Sequence, residues 1–263
     1  MPSRPSRESL STKTVDFQVR IRIVEGRQLQ GANIDPVCRV SCSNVQKQTR
    51  ILRSTNSPCW NQVFYFNFRD SARNLVDEIV KFNVFDSHSL SRDSLIGSFK
   101  FDVGYAYHSD DRAIINKWLL LSDPEDPLAG PKGYLKVSVI VLGPGDQAPS
   151  WKSNEANDDD IQQNLLRPAG VTLRPATYAV RIYNGEDLPR MDNGIISKAV
   201  SLVTSKKQDP KNFVDPYVEV NFAGIKNQTK KVDETDHPDW NQEIRMVLQF
   251  PSMCENMKFV VYD

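Results

Sequence analysis

The chain has 263 residues, 39% hydrophobic and 25% charged, and its 33 lysines and arginines balance 33 aspartates and glutamates. The length suits two domains of ordinary size and the composition is that of a globular protein. Zero net charge gives no general field for nucleic acid, so an electrostatic partner has to be met by a local patch, and no run of about 20 apolar residues is present to span a bilayer.

In chain order, residues 1–14 open with Met-Pro-Ser-Arg-Pro-Ser-Arg and hold no apolar stretch, so they read as a flexible basic tail and not as a secretory signal. Residues 15–142 are dominated by period-two alternation. Phe17, Val19, Ile21 and Ile23 share one face, with Gln18, Arg20 and Arg22 opposite. Phe64, Phe66 and Phe68 repeat the pattern, as do Leu135, Val137, Val139 and Val141. Such alternation marks half-buried strands. It predicts strands over 15–24, 37–42, 46–51, 61–68, 78–85, 95–102, 116–121 and 133–142, and hence an all-β, eight-stranded antiparallel sandwich. Trp60 and Trp118 are predicted to be core residues.

Residues 143–176 change texture. Pro-Gly-Asp-Gln-Ala-Pro-Ser and Asn-Glu-Ala-Asn-Asp-Asp-Asp read as linker, with a short helical turn predicted in Ile-Gln-Gln-Asn-Leu-Leu. Alternation resumes at Tyr178, Val180 and Ile182, and residues 177–263 are predicted to form a second sandwich, incomplete where the chain stops at Asp263. Cys38, Val40 and Cys42 fall on one face of a strand, which points to core packing and not to a disulfide. The remaining cysteines, Cys59 and Cys254, make no Cys-x-x-Cys pair that would suggest zinc. His88, His108 and His237 lie in unrelated loops and no glycine-rich phosphate loop is present, so no catalytic site is expected.

The two halves repeat one module. Ile-Asp-Pro-Val around Asp35 returns as Val-Asp-Pro-Tyr around Asp215, and Pro-Cys-Trp-Asn-Gln at Trp60 returns as Pro-Asp-Trp-Asn-Gln at Trp240, both 180 residues later. Lys-Phe-Asn-Val-Phe-Asp, ending at Asp86, returns as Lys-Phe-Val-Val-Tyr-Asp, ending at Asp263. With Ile-Arg-Ile-Val-Glu-Gly-Arg-Gln-Leu (Ile21 to Leu29) returning as Val-Arg-Ile-Tyr-Asn-Gly-Glu-Asp-Leu (Val180 to Leu188), four such blocks in one order mean a duplicated unit. Between Leu188 and Asp215 the second copy carries 21 more residues than the first has between Leu29 and Asp35, with helix-like spacing at Ile196, Val200 and Val203.

These motifs resemble C2 domains. The runs Lys-Trp-Leu-Leu-Leu-Ser-Asp-Pro-Glu-Asp and Lys-Gly-Tyr-Leu-Lys-Val-Ser-Val-Ile-Val-Leu-Gly-Pro-Gly-Asp, with Asn-Leu-Leu-Arg-Pro-Ala-Gly, are similar to the ferlins. The match is to the second C2 domain, the family-specific linker and the start of the third. The resemblance implies proteins anchored at the cytoplasmic face of membranes that act in calcium-linked vesicle fusion, trafficking or membrane repair. The partner it implies is an anionic phospholipid surface, with fusion-machinery proteins as further partners and no nucleic acid.

Carried over residue by residue, the calcium ligands of the second module are Asp192 and Asp215 in its first loop and Asp263 in its third. In the first module Asp35 and Asp86 align with ligand positions. The partner of Asp35 is missing, two third-loop positions fall on His88 and Ser94, and Asp93 lies one residue out of register. Calcium takes six to eight oxygens in loose geometry, so the first module is expected to be degenerate. Lys226, Lys230 and Lys231 resemble a lysine-rich strand pair that holds lipid headgroups. The rival reading is a calcium-independent protein-interaction module, or a non-functional truncated product, in which the aspartates only shape turns.

Overall fold

The computed structural model describes residues 10–87, 93–126, 129–151, 160–166, 174–189, 214–250, 252–254 and 256–263. Asp192, His88 and the inserted residues 196–203 lie outside these.

The first unit is built from β1 (Thr14–Arg27), β2 (Pro36–Cys42), β3 (Val45–Gln48), β4 (Cys59–Ser71), β5 (Ile79–Asp86), β6 (Ser94–Asp102), β7 (Ala113–Ser122) and β8 (Pro131–Leu142). Each matches one of the expected strands. The order β3-β2-β5-β6-β7-β8-β1-β4 is antiparallel throughout. Between β6 and β7 only Ser98 and Ser122 pair, so the sheet divides there into two four-stranded leaves. Val19, Ile21 and Ile23 of β1 meet Val40, Phe82, Val84, Leu119, Val137 and Val139 in one apolar cluster, as period-two alternation requires when one face of each leaf turns inward. Cys38 and Cys42 are buried and unbridged. Burial pushes both thiols up, Cys42 to about 12 with the nearby charge of Glu78 adding to it.

Two short helices interrupt the strands, α1 (Ala72–Leu75) and α2 (Val103–Tyr107). At four and five residues they are too brief to show a helical period in sequence. Ser71 caps α1, its hydroxyl accepting from the amide of Asn74.

Trp60 joins the core cluster, and its indole N–H donates to the carbonyl of Arg50 (2.9 Å). Trp118 is buried, as expected. It lies outside that cluster, out of phase with Leu119 and Leu121, which belong to it. Its side chain therefore lies on the outer face of the leaf, against the guanidinium of Arg27 (4.8 Å to the ring centre) and the ammonium of Lys136 (5.5 Å).

The expected turn in the linker is present. Asn164 N–H donates to Asp160 O (3.1 Å), and the Asp160 carboxylate accepts from the amides of Gln162 and Gln163. The chain then extends, and Leu165 makes a parallel bridge to Trp118.

The second unit contains β9 (Arg174–Asn184), β10 (Tyr217–Phe222), β11 (Ile225–Gln228), β12 (Asp239–Phe250) and β13 (Met257–Tyr262). They pair as β11-β10-β13 and β12-β9, the counterparts of β3-β2-β5 and β4-β1. Among the described residues, no helix is long and apolar enough to cross a membrane.

Candidate functional site: the loop tips of two repeated modules

Each module ends in a tip where the loop before its second strand meets the end of its fifth. In the first, the amide of Asp35 donates to Oδ1 of Asp86 (2.8 Å), and Oδ1 of Asp35 accepts from the amide of Ser54 (2.9 Å). In the second, the amide of Asp215 donates to Oδ1 of Asp263 (2.8 Å), and Oδ1 of Asp215 accepts from the amide of Glu234 (2.9 Å). Asp-Pro dictates part of this. Proline cannot continue a hydrogen-bonded turn and holds the residue before it extended, while the short aspartate side chain closes onto backbone nearby. Ser54 and Glu234 take matching left-handed conformations, with φ of 51° and 50°.

The frame around the tips repeats as well. Cys38 N–H donates to Thr49 Oγ1 and Val218 N–H to Thr229 Oγ1, both at 3.0 Å. Arg50 N–H donates to Gln62 Oε1 and Lys230 N–H to Gln242 Oε1, at 2.8 and 2.9 Å. Leu29 N–H reaches Asn56 O, and Leu188 N–H reaches Asp236 O, both at 3.0 Å. The structure thus brings Asp35 next to Asp86 and Asp215 next to Asp263.

The tips differ in charge. At the positions of Gln28, Arg53, Ser54 and Asn56 the second module has Asp187, Asp233, Glu234 and Asp236. His237 sits among these acids, Nδ1 2.8 Å from Asp236 and Nε2 3.4 Å from Asp187. The hydrogen bond to Asp236 raises its pKa, burial opposing and the charges of Asp236, Asp187 and Glu186 adding. Comparing the two copies position by position would have exposed these acids in the sequence; a reading guided by the ligand pattern passed over them.

Asp93 is committed elsewhere. It forms an ion pair with Arg39 and accepts a hydrogen bond from the Ser87 hydroxyl (2.8 Å). The Ser87 hydrogen bond above all holds its carboxyl below the ordinary value; burial opposes it, and the Arg39 hydrogen bond and charge add smaller lowering effects. The Arg39 guanidinium also lies on the Phe85 ring, 4.4 Å from its centre. On β10 the same register position, paired with Gln228 as Arg39 is with Gln48, is Glu219. The first tip therefore has a side-chain cation of its own. Among the described residues no cation pairs with Asp215 or Asp263.

Calcium chemistry fits the second donor set in kind, since Asp215 and Asp263 present hard oxygens from two loops. Among the described residues no three of His, Cys, Asp and Glu are grouped closely enough to hold one metal ion. The third expected ligand, Asp192, is not among them. The first set does not fit: it keeps Asp35 and Asp86, and Asp93 is neutralised by Arg39.

The three candidate lysines lie on or just after the β10–β11 hairpin. Lys226 is mostly exposed and pairs with Glu219 (3.2 Å). Lys231 lies over Tyr217 (5.3 Å), which stacks on Tyr262 (5.4 Å).

A model described as the C2 domain matches residues 17–121 and 176–263, and a model described as the FerI (NUC094) domain matches residues 122–171. Myoferlin of Xenopus tropicalis is 47% identical over 261 residues, 99% of this chain, and myoferlin of Mus musculus is 46% identical over the same length. The chain belongs to the ferlins, a family of C2-domain proteins. It spans 13% of the length of those two relatives. Among solved structures, the paired C2 domains of extended synaptotagmin 2 with calcium bound match at 18% identity, covering 97% of this chain and 80% of that one, with a TM-score of 0.40.

Proposed function

We propose that this ferlin chain binds anionic phospholipid surfaces, and that only its second module does so under calcium control, in support of calcium-linked membrane fusion, trafficking or repair. The observation that carries the reading is the Asp263 carboxylate resting on the Asp215 amide, among acids that the first module lacks. Asp215 and Asp263 each give one oxygen to a backbone N–H, which fixes the carboxylate's direction, and among the described residues the other oxygen of each has no hydrogen-bond partner. Asp192 would supply a third carboxylate from the same loop as Asp215. Empty, the tip repels an anionic leaflet. Calcium, when bound, supplies the opposite charge, and each unit charge near such a surface is worth about 1 kcal/mol. Lys226, Lys230 and Lys231 would add attraction from the hairpin as point charges. In the first module the Arg39–Asp93 pair favours contacts that need no metal.

The test is sedimentation of the chain with phosphatidylserine vesicles in calcium and in chelator. The parent is expected to sediment more in calcium. Asp192→Asn with Asp215→Asn is expected to remove the difference. A double variant that keeps the parent's calcium response would overturn the proposal.

A further inference from the structure

The outer leaf β7-β8-β1-β4 has an open edge at β7, because β6 touches it only at Ser122. Residues 160–166 sit on that edge. Trp118 N–H donates to Asn164 O and Leu166 N–H donates to Trp118 O, both at 2.8 Å. Lys117 Nζ donates to Asn164 Oδ1 (3.0 Å). Leu166 reaches the core cluster, and Asn164 is buried two residues before it, as alternate residues of a strand should be. This is strand addition to a sheet edge: backbone hydrogen bonds give the attachment, and alternate side chains give the choice of segment.

We infer that the β7 edge at Trp118 is a strand-accepting site whose ligand is this chain's own residues 160–166, seated reversibly. The described attachment includes two backbone hydrogen bonds at one residue, one lysine–asparagine bond and two buried side chains, Asn164 and Leu166. The Trp118 indole N–H is buried without an acceptor, so the surroundings of the seat are not fully satisfied. Attachments of this size open locally while the sheet behind them stays closed.

The test follows hydrogen exchange at the Trp118 amide in the whole chain. Leu166→Asp is expected to speed it at least tenfold and Asn164→Ala by a smaller factor, with Ile21 and Val139 unchanged. A synthetic peptide of residues 158–168 added to the Leu166→Asp chain is expected to restore protection; a scrambled peptide is not. Trp118 protection equal to the parent's in Leu166→Asp would overturn the inference. So would loss of protection spread to Ile21 and Val139, which would make the segment part of the cooperative core. Failure of the peptide to restore protection would overturn it as well.

Discussion

Asp215 donates its backbone N–H to the carboxylate of Asp263 over 2.8 Å, the same length that joins Asp35 to Asp86. The shared bond is a structural device of the module, and the proposed difference in function lies in what surrounds it. Asp35→Ala and Asp215→Ala each strip the acceptor from a turn amide, that of Ser54 or Glu234. Each should destabilise its own module by about 1–2 kcal/mol. Calcium is expected to raise the thermal midpoint of the second module, since a ligand stabilises the state that binds it, and only Asp215→Ala should also cancel that rise. Calorimetry of both variants with calcium and with chelator checks this.

The Arg39–Asp93 pair should show itself in acid. Asp93 titrates below its ordinary value of 3.8, so its contribution is complete above that value and is lost as pH falls through the lowered one. A double-mutant cycle of Arg39→Gln and Asp93→Asn should give a favourable coupling at about pH 6 that disappears at about pH 2. Denaturant titrations of the four proteins at each pH provide the measurement.

His237 should behave in the opposite sense. Its folded pKa is raised, above all by the hydrogen bond to Asp236. The stability it adds is complete below the ordinary histidine value of 6.5 and is lost as pH rises through the raised value. The second module's midpoint should therefore fall in His237→Gln at about pH 5 and match the parent at about pH 9. The ring is more than half exposed, so salt should shrink the effect.

Thr49 and Thr229 are both 2% exposed and hold equivalent buried amides. Replacing either by valine keeps the shape and leaves an N–H without its acceptor. Each change should cost its module about 1–3 kcal/mol, and near-equal values by chemical denaturation would show that the repeat extends to energetics.

The sandwich was legible because alternation over eight segments records burial directly: Val19, Ile21 and Ile23 face the core as their spacing requires. The burial of Trp118 was legible as well, though not the side of the strand it takes, since a β-bulge between Ile114 and Lys117 disturbs the register there. Sequence spacing shows which residues share a face only while the register holds. The pairing of Asp215 with Asp263 was legible from the family pattern. Asp93 was legible as a carboxylate, yet its commitment to Arg39 required the fold, since 54 residues separate them. The seat of residues 160–166 left only a helical turn to be read, because a single parallel bridge produces no periodic signal.

The clamp at the tips has a consequence for how such modules can be altered. Leu29 and Ile34 are tied back to Asn56 and Thr55, and Leu188 and Val214 are tied in the same way to Asp236 and Thr235. One clamp closes over four residues and the other over 25. Lengthening a closed loop by that ratio costs only about 1.5 kcal/mol in chain entropy. The crown of the first module should thus accept a grafted peptide of roughly twenty residues between Gln30 and Asn33, a practical place for an epitope or a fluorophore.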